Sequence, residues 1–257
     1  MDVKTEKRGS IFIVTINRPE LRNAVDGPTA LALFEAFKDY DADPGLSVAI
    51  LTGEGDHFCA GADLKALSEE PGRANPLNSN MEDPAPMGPT RLMLRKPVIA
   101  AISGYAVAGG LELACWCDLR VADHSARFGV FSRRFGVPYI DGGTQRLPRL
   151  IGLSRALDLM LTGRELHAEE ALAFGLVNRL TGEDVLSYAV DLARRMASFP
   201  QECLQNDRMA MYRGLHMDIE EGLKMEFETG MKTIESGETV QGARRFSDGE
   251  GKHGSFS

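Results

Sequence analysis

The stretch PVIAAISGYAVAGGLELA, residues 97–114, is the most informative part of this 257-residue chain. Its apolar run at 98–102 is typical of a buried strand and ends at Ser103-Gly104. Gly109 and Gly110 then open an apolar helical pattern. A helix start leaves backbone N–H groups without intrahelical partners, and the helix dipole adds partial positive charge there. The stretch therefore predicts a strand, a turn and a helix, with free N–H groups at the turn.

A second turn of the same kind lies upstream, in HFCAGADL at residues 57–64, after the apolar strand pattern at 48–52. Ligands of α/β sheets gather at the carboxyl ends of strands. Two such turns side by side would aim two backbone N–H groups at one oxygen, which is an oxyanion hole. Taken singly, each turn is more typical of glycines that only permit a tight turn. Neither matches a phosphate-binding loop motif.

The rest of the chain changes character from its amino to its carboxyl end. Apolar strand patterns at 11–16, 48–52 and 98–102 alternate with helical patterns, which predicts βα units and largely parallel pairing. From Leu153 onward the pattern is mainly helical. We therefore expect an α/β core over residues 1–195 and a helical region over 196–257. The predicted helices lie at 28–40, 154–161, 168–174, 184–197, 201–213 and 218–235.

Two segments are predicted to lack regular structure. Residues 69–89 hold five of the twelve prolines, which predicts a long mobile loop. The tail at 249–257, rich in glycine and serine, is expected to fray.

Composition excludes several classes of protein. Apolar residues make up 43% of the chain and charged residues 26%, so a disordered chain is excluded. The net charge of −8 argues against electrostatic nucleic-acid binding. No apolar run reaches the ~20 residues of a membrane span. The four cysteines do not form a disulfide framework, and the amino terminus does not resemble a targeting peptide. We expect a soluble, cytoplasmic protein.

The two turns and their neighbours resemble the crotonase family, the enoyl-CoA hydratase/isomerase superfamily. The resemblance extends from about residue 10 to residue 180. It implies a spiral of ββα units with a helical carboxyl-terminal region that mediates trimerisation, and an assembly that is a homotrimer or a dimer of trimers. It also implies an acyl-CoA thioester substrate, with coenzyme A as part of the substrate and no further cofactor. The matching motifs are NRP (17–19), RNA (22–24), FCAGADL (58–64), KPVIAAISG (96–104), AGGLELA (108–114), RFG (127–129) and GGTQRL (142–147).

The resemblance assigns roles to individual positions. Ala62 and Gly109 would donate backbone N–H groups to the thioester oxygen. Glu112 would be the acid–base residue, although a glutamate near a helix start is also favoured by the helix dipole. Arg22 would meet a phosphate of coenzyme A or remain a solvated surface arginine. The full set implied to bind coenzyme A is Arg22, Ala24, Val25, Ala60, Asp63, Leu64 and Gly110.

One position departs from the family pattern. Hydratases of the family carry a second glutamate at the place that Ser132 occupies, and a serine hydroxyl is too weak an acid or base to replace it. Asp141 is the nearby carboxylate, either a pocket acid or base or a turn aspartate before two glycines. The five histidines have no metal-ligand spacing, so no metal site is predicted.

Three functions are consistent with the sequence. The leading one is an enoyl-CoA hydratase/isomerase-type enzyme that stabilises an enolate. The second is a double-bond isomerase without hydratase activity, which uses Glu112 or Asp141. The third is a non-catalytic acyl-CoA-binding protein that kept the oxyanion hole.

Overall fold

Two β-sheets with helices packed around them form the part of the chain that the computed structural model describes, residues 1–251. The end of the tail predicted to fray, 252–257, lies outside the described residues. The strands are β1 (Val3–Arg8), β2 (Ile11–Ile16), β3 (Val48–Gly53), β4 (Val98–Ile102), β5 (Tyr105–Val107), β6 (Leu119–Asp123), β7 (Arg127–Gly129), β8 (Leu166–His167) and β9 (Arg179–Thr181). The helices are α1 (Gly27–Ala42), α2 (Leu64–Glu69), α3 (Gly109–Trp116), α4 (Gly143–Ile151), α5 (Leu153–Thr162), α6 (Ala168–Phe174), α7 (Val185–Ala197), α8 (Gln201–Gly214), α9 (Ile219–Glu235) and α10 (Glu238–Ser247).

The larger sheet has the strand order β1-β2-β3-β4-β6-β9, and only the β1–β2 pair is antiparallel. Its central strands are apolar on both faces, as expected for parallel strands covered on both sides. On one face Ile13, Ile50 and Ile99 pack against α7, which contributes a buried stripe that includes Val185 and Ala189. The predicted parallel α/β core is confirmed.

The smaller sheet builds the layer that carries the two glycine turns. Strand β5 pairs in parallel with β7, and β7 pairs antiparallel with β8. Single bridges between Cys59 and Ala106 and between Val25 and Ala62 extend this layer. The chain thus repeats a long strand, a short extended stretch and a helix, most clearly in β4, β5 and α3. This repeat is the ββα spiral that the family resemblance implies.

The carboxyl-terminal helices dock back onto the core through α8. Asp118 accepts hydrogen bonds of 2.8 Å from Arg208 and from the Tyr212 hydroxyl, both on α8. Apolar side chains on the outer surface of these helices stay exposed, among them Ile219 and Phe227 at 76% and 70%. Within residues 1–251, no helix has the length and apolar character to span a membrane. The division at residue 195 stays a prediction.

The segment at 69–89 is largely irregular, as predicted, but it is tied to the core. It contains a 3₁₀ turn at Pro71–Arg73. The Arg73 guanidinium pairs with Asp26. The Asn75 side-chain amide donates to the carbonyls of Val25 and Pro86 at 2.9 and 2.8 Å. These contacts place the end of the segment next to the glycine turns.

Candidate active site

The two glycine turns lie against each other. The Cys59 N–H donates to the Tyr105 carbonyl at 2.8 Å, and the Val107 N–H donates to the Cys59 carbonyl at 3.1 Å. Gly61 has a φ of +101° and approaches the second turn so closely that a Cβ on it would lie 3.0 Å from the Gly109 nitrogen. Only glycine combines this backbone angle with this proximity. The two turns are therefore neighbours, the arrangement that an oxyanion hole built from both of them requires.

Two backbone N–H groups at this junction have no protein acceptor. Among residues 1–251, neither the Ala62 nor the Gly109 N–H donates a hydrogen bond to another residue. Gly109 begins α3, where the helix provides no partner. Ala108, directly before Gly109, has φ +53° and ψ −125°, a backbone conformation that glycine normally adopts. Strained backbone of this kind clusters at functional sites. Both N–H groups are therefore available to a ligand.

Glu112 lies in the first turn of α3 and is only 2% exposed. Its Oε1 accepts the N–H groups of Asp141 and Gly143 at 2.9 and 2.8 Å. Burial, together with the nearby charge of Asp141, raises the pKa of Glu112 to about 8, against the lowering effect of the two N–H donors. A carboxyl with a pKa near neutrality both accepts and releases a proton under ordinary conditions.

Asp141 connects two parts of the chain at the site through hydrogen bonds. Its Oδ1 accepts the Met87 N–H at 2.9 Å and the Thr90 hydroxyl at 2.6 Å. The Arg146 guanidinium also links the chain around Asp141 to the chain around Thr90, because it donates to the carbonyls of these two residues at 2.9 and 2.7 Å. Burial raises the pKa of Asp141. The carboxyl therefore fixes the end of the 69–89 segment beside Glu112, and a catalytic role for it stays a prediction.

Ser132 and Tyr139 add two buried hydroxyls to this region. Ser132 lies in a 3₁₀ turn, Phe131–Phe135, directly after β7. It is 7% exposed, and Tyr139 is 8% exposed. Within the described part of the chain, neither hydroxyl has a hydrogen-bond partner.

Sequence reasoning missed Met87, Thr90 and Tyr139. The Met87 side chain covers the second turn, since a Cβ on Gly109 would lie 2.6 Å from its Sδ. Nothing in the proline-rich segment indicated that Met87 or Thr90 reaches the site from a distant part of the chain. Tyr139 had one available signal, an aromatic residue within the glycine-rich stretch GVPYIDGG (136–143).

Four of the residues predicted to bind coenzyme A lie at the accessible edge of the first turn. Arg22 is exposed, and its guanidinium lies 5.4 Å from the centre of the Tyr105 ring. Leu64 is 38% exposed, and Ala24 and Ala60 are half-buried. The structure brings these residues together, and their contact with coenzyme A stays a prediction.

The other three predicted binding residues are engaged within the protein. Val25 is fully buried, and its carbonyl accepts the Asp63 N–H at 2.9 Å. The Asp63 carboxyl caps α2 and pairs with Arg18 at 2.9 Å. Gly110 lies so close to Cys59 that a Cβ on it would be 2.8 Å from the Cys59 carbonyl carbon. These residues hold the two turns in place.

The described residues contain no group of three or more His, Cys, Asp or Glu side chains arranged to hold a metal ion.

Comparison with known proteins places this geometry in context. The family model described as "Enoyl-CoA hydratase/isomerase" matches residues 6–252. The "Enoyl-CoA hydratase EchA19" of Mycobacterium tuberculosis is 34% identical over 255 residues, which cover 96% of this chain and 94% of that protein. The "Short-chain-enoyl-CoA hydratase" of Clostridium acetobutylicum is 35% identical and covers 88% and 87% of the two chains. The crystal structure of enoyl-CoA hydratase EchA1 from Mycobacterium marinum superposes with a TM-score of 0.89 at 35% identity, covering 96% of each chain.

Proposed function

The chain belongs to the enoyl-CoA hydratase/isomerase family, and on this premise we propose that it converts acyl-CoA thioesters through an enolate held by Ala62 and Gly109. The observation that carries the proposal is the pair of adjacent N–H groups without protein acceptors, together with the buried carboxyl of Glu112. The thioester oxygen would accept both N–H groups. Coenzyme A would then be part of the substrate, and no other cofactor enters the reaction.

The N–H pair would act on the transition state more strongly than on the substrate. As the Cα–H bond weakens, negative charge grows on the thioester oxygen, and donors already fixed at that point stabilise it. Each donor is worth about 3 kcal/mol in comparable sites. Glu112, with a pKa of about 8, would take the Cα proton with the oxygen that the Asp141 and Gly143 N–H groups leave free.

A single positioned carboxyl favours proton relocation over hydration. Double-bond migration needs one group to remove a proton from Cα and return it to Cγ. Hydration needs a hydroxyl added at Cβ and a proton delivered at Cα, which two carboxyls accomplish more readily. Ser132 supplies no second carboxyl, and Oδ1 of Asp141 already accepts the Met87 N–H and the Thr90 hydroxyl. We therefore favour isomerase chemistry, with hydration of particular substrates as the second candidate.

Exposed apolar surface supports a trimeric assembly. The outer side chains of α8 and α9 include Met211 at 77%, Ile219 at 76% and Phe227 at 70% exposure. These side chains lie on two helices that pack against each other, and exposed apolar patches mark association sites. We propose that these helices join three copies of the chain, and light scattering of the purified protein would measure the assembly mass.

One assay distinguishes the candidate activities. The protein is incubated separately with crotonyl-CoA and with 3-pentenoyl-CoA, and absorbance of the conjugated enoyl thioester is followed. Loss of absorbance with crotonyl-CoA reports hydration, and gain with 3-pentenoyl-CoA reports isomerisation. Tight binding of both thioesters without any absorbance change would overturn the catalytic proposal in favour of a binding protein. Glu112→Gln, assayed in parallel, shows whether a detected conversion depends on the assigned carboxyl.

A further inference from the structure

Two hydroxyls in the segment after β7, one of them on a ring beside Glu112, are buried without a hydrogen-bond partner among the described residues. The Tyr139 hydroxyl and the Ser132 Oγ are each shielded from solvent, and neither has a partner among residues 1–251. Roughly nine in ten buried polar groups in native proteins are hydrogen-bonded, since an unpaired one is costly. Two such groups in one short segment indicate that a ligand supplies the missing partner.

The position of Tyr139 connects this pair to the proposed proton-transfer group. Its Cε2 and the Glu112 Cγ lie 2.7 and 2.8 Å from the point that a Cβ on Gly143 would occupy. The aromatic ring therefore lies beside the Glu112 side chain. Ser132 belongs to the same segment, whose turn is closed by the Val137 N–H donating to the Ser132 carbonyl at 3.2 Å.

The charges around these hydroxyls restrict what they can bind. Burial raises the pKa of Tyr139, and the nearby charge of Glu112 acts in the same direction, so the phenol stays neutral. Glu112 and Asp141 are buried acids that would repel an anion whenever they are ionised. The guanidinium of Arg146 already donates to two carbonyls. The chemistry fits an uncharged oxygen atom.

We propose that Tyr139 and Ser132 form a subsite for a ketone or hydroxyl oxygen on the acyl group, close to the carbon atoms beside Glu112. The proposal rests on the proposed function, because it takes the acyl chain to pass Glu112. An all-hydrocarbon acyl chain would leave both hydroxyls unpaired, and sites built to bond a substrate oxygen reject analogues that lack it. The preferred substrates are then oxygenated acyl-CoA thioesters.

The test compares equilibrium binding of acetoacetyl-CoA, which carries a ketone at Cβ, and butyryl-CoA, which does not. Neither compound can be hydrated or isomerised. The native protein should bind acetoacetyl-CoA at least ~10-fold more tightly. Tyr139→Phe and Ser132→Ala should each weaken acetoacetyl-CoA binding about fivefold or more and leave butyryl-CoA binding equal or tighter. Tyr188→Phe and Ser187→Ala, on α7, are the matched controls and should change neither.

Three results would overturn the subsite. The first is equal binding of both thioesters by the native protein. The second is that the two variants weaken the binding of both ligands to the same degree. The third is that the preference for acetoacetyl-CoA persists in both variants. The last result would assign the preference to the thioester end of the ligand. Circular dichroism checks that each variant folds. If one variant fails to fold, the other still tests the subsite. Because binding is measured without turnover, failure of the Glu112 chemistry leaves this test intact.

Discussion

Oε1 of Glu112 accepts the backbone N–H of Asp141 at 2.9 Å, so the two acids of the site are linked through the main chain of one and the side chain of the other. The Asp141 carboxyl points its Oδ1 to Met87 and Thr90 instead. Both carboxyls are buried, and each accepts two hydrogen bonds through one of its oxygens. Glu112 is the one that lies on the helix beginning at Gly109, and this position favours it for proton transfer.

Replacing Glu112 with Gln should lower turnover by roughly 10²–10⁴, since the amide cannot transfer the proton. Its Oε1 can still accept the N–H groups of Asp141 and Gly143, so thioester binding should change little. In the native protein, kcat/KM should rise with pH through about 8, because the reaction needs the ionised carboxyl. Initial rates from pH 6 to 9.5 measure this profile. A Gln variant that retains most activity would transfer the role to Asp141.

Glu112 should also destabilise the fold as the pH rises. Its pKa is about 8 in the folded chain against an ordinary value of 4.5, so the folded state binds the proton more tightly than the unfolded state. The free energy of unfolding therefore falls between about pH 4.5 and pH 8. Glu112→Gln should match the native Tm near pH 4.5 and exceed it by several degrees at pH 8.5. Thermal scans at both pH values measure this, with exposed Glu228→Gln as the control. An equal Tm difference at both pH values would contradict the assigned pKa.

The oxyanion hole can be tested on the ligand side. S-butyl-CoA is a thioether without the carbonyl oxygen of butyryl-CoA, so it leaves the Ala62 and Gly109 N–H groups unpaired. It should bind at least ~10-fold more weakly, because each lost hydrogen bond to a buried donor is worth about 1 kcal/mol or more. Calorimetric titration of both compounds gives the ratio. Equal affinity would show that these two N–H groups do not bind the thioester oxygen. Free coenzyme A, titrated in the same way, gives the affinity of the part that both compounds share.

Arg18 should be important for stability. Its guanidinium lies 2.9 Å from Asp63 and 3.4 Å from Asp26, and all three side chains are at least 90% buried. Arg18→Met would leave the buried Asp63 carboxylate without its cation partner and Asp26 with Arg73 alone, which should lower the free energy of unfolding by about 3 kcal/mol. Arg8→Met breaks an exposed pair with Glu6 and should leave the urea midpoint nearly unchanged. Similar midpoints for both variants would contradict the importance of the buried network.

Long elements and glycine turns were predictable from the sequence, because each carries a periodic or conformational signal. The predicted strand at 98–102 coincides with β4, and the predicted helix at 168–174 coincides with α6. Strands of two or three residues, such as β5 and β8, are too short to show a period. Strand β1 was missed because VKTEKR is charged and lies at a sheet edge.

The candidate site was predictable where its groups belong to one continuous motif. Gly109 and Glu112 follow β5 directly, so their proximity is local. Met87 and Thr90 reach the site through tertiary packing, and no local pattern records that their partner is Asp141, more than 50 residues away. The missing partners of the Ser132 and Tyr139 hydroxyls are likewise visible only in the folded chain.

With a serine at position 132, the native protein should be a poor hydratase of simple unbranched enoyl-CoA. Ser132 is buried in the turn after β7 and cannot supply the second carboxyl that shares the work of adding water. Ser132→Glu should raise crotonyl-CoA hydration, provided that the fold accepts the larger side chain. Ser132→Gln, of equal size and without a carboxyl, is the matched control and should not raise it.

The comparison is made at equal stability, by following loss of enoyl absorbance with crotonyl-CoA for the native protein and both variants. An increase confined to Ser132→Glu attributes the gain to acid–base chemistry, because the glutamine fills the same space. An equal increase in both variants would attribute it to pocket shape. If the native protein already hydrates crotonyl-CoA at rates on the order of hundreds per second, the upper part of the usual enzyme range, the absence of a second carboxyl does not limit the reaction.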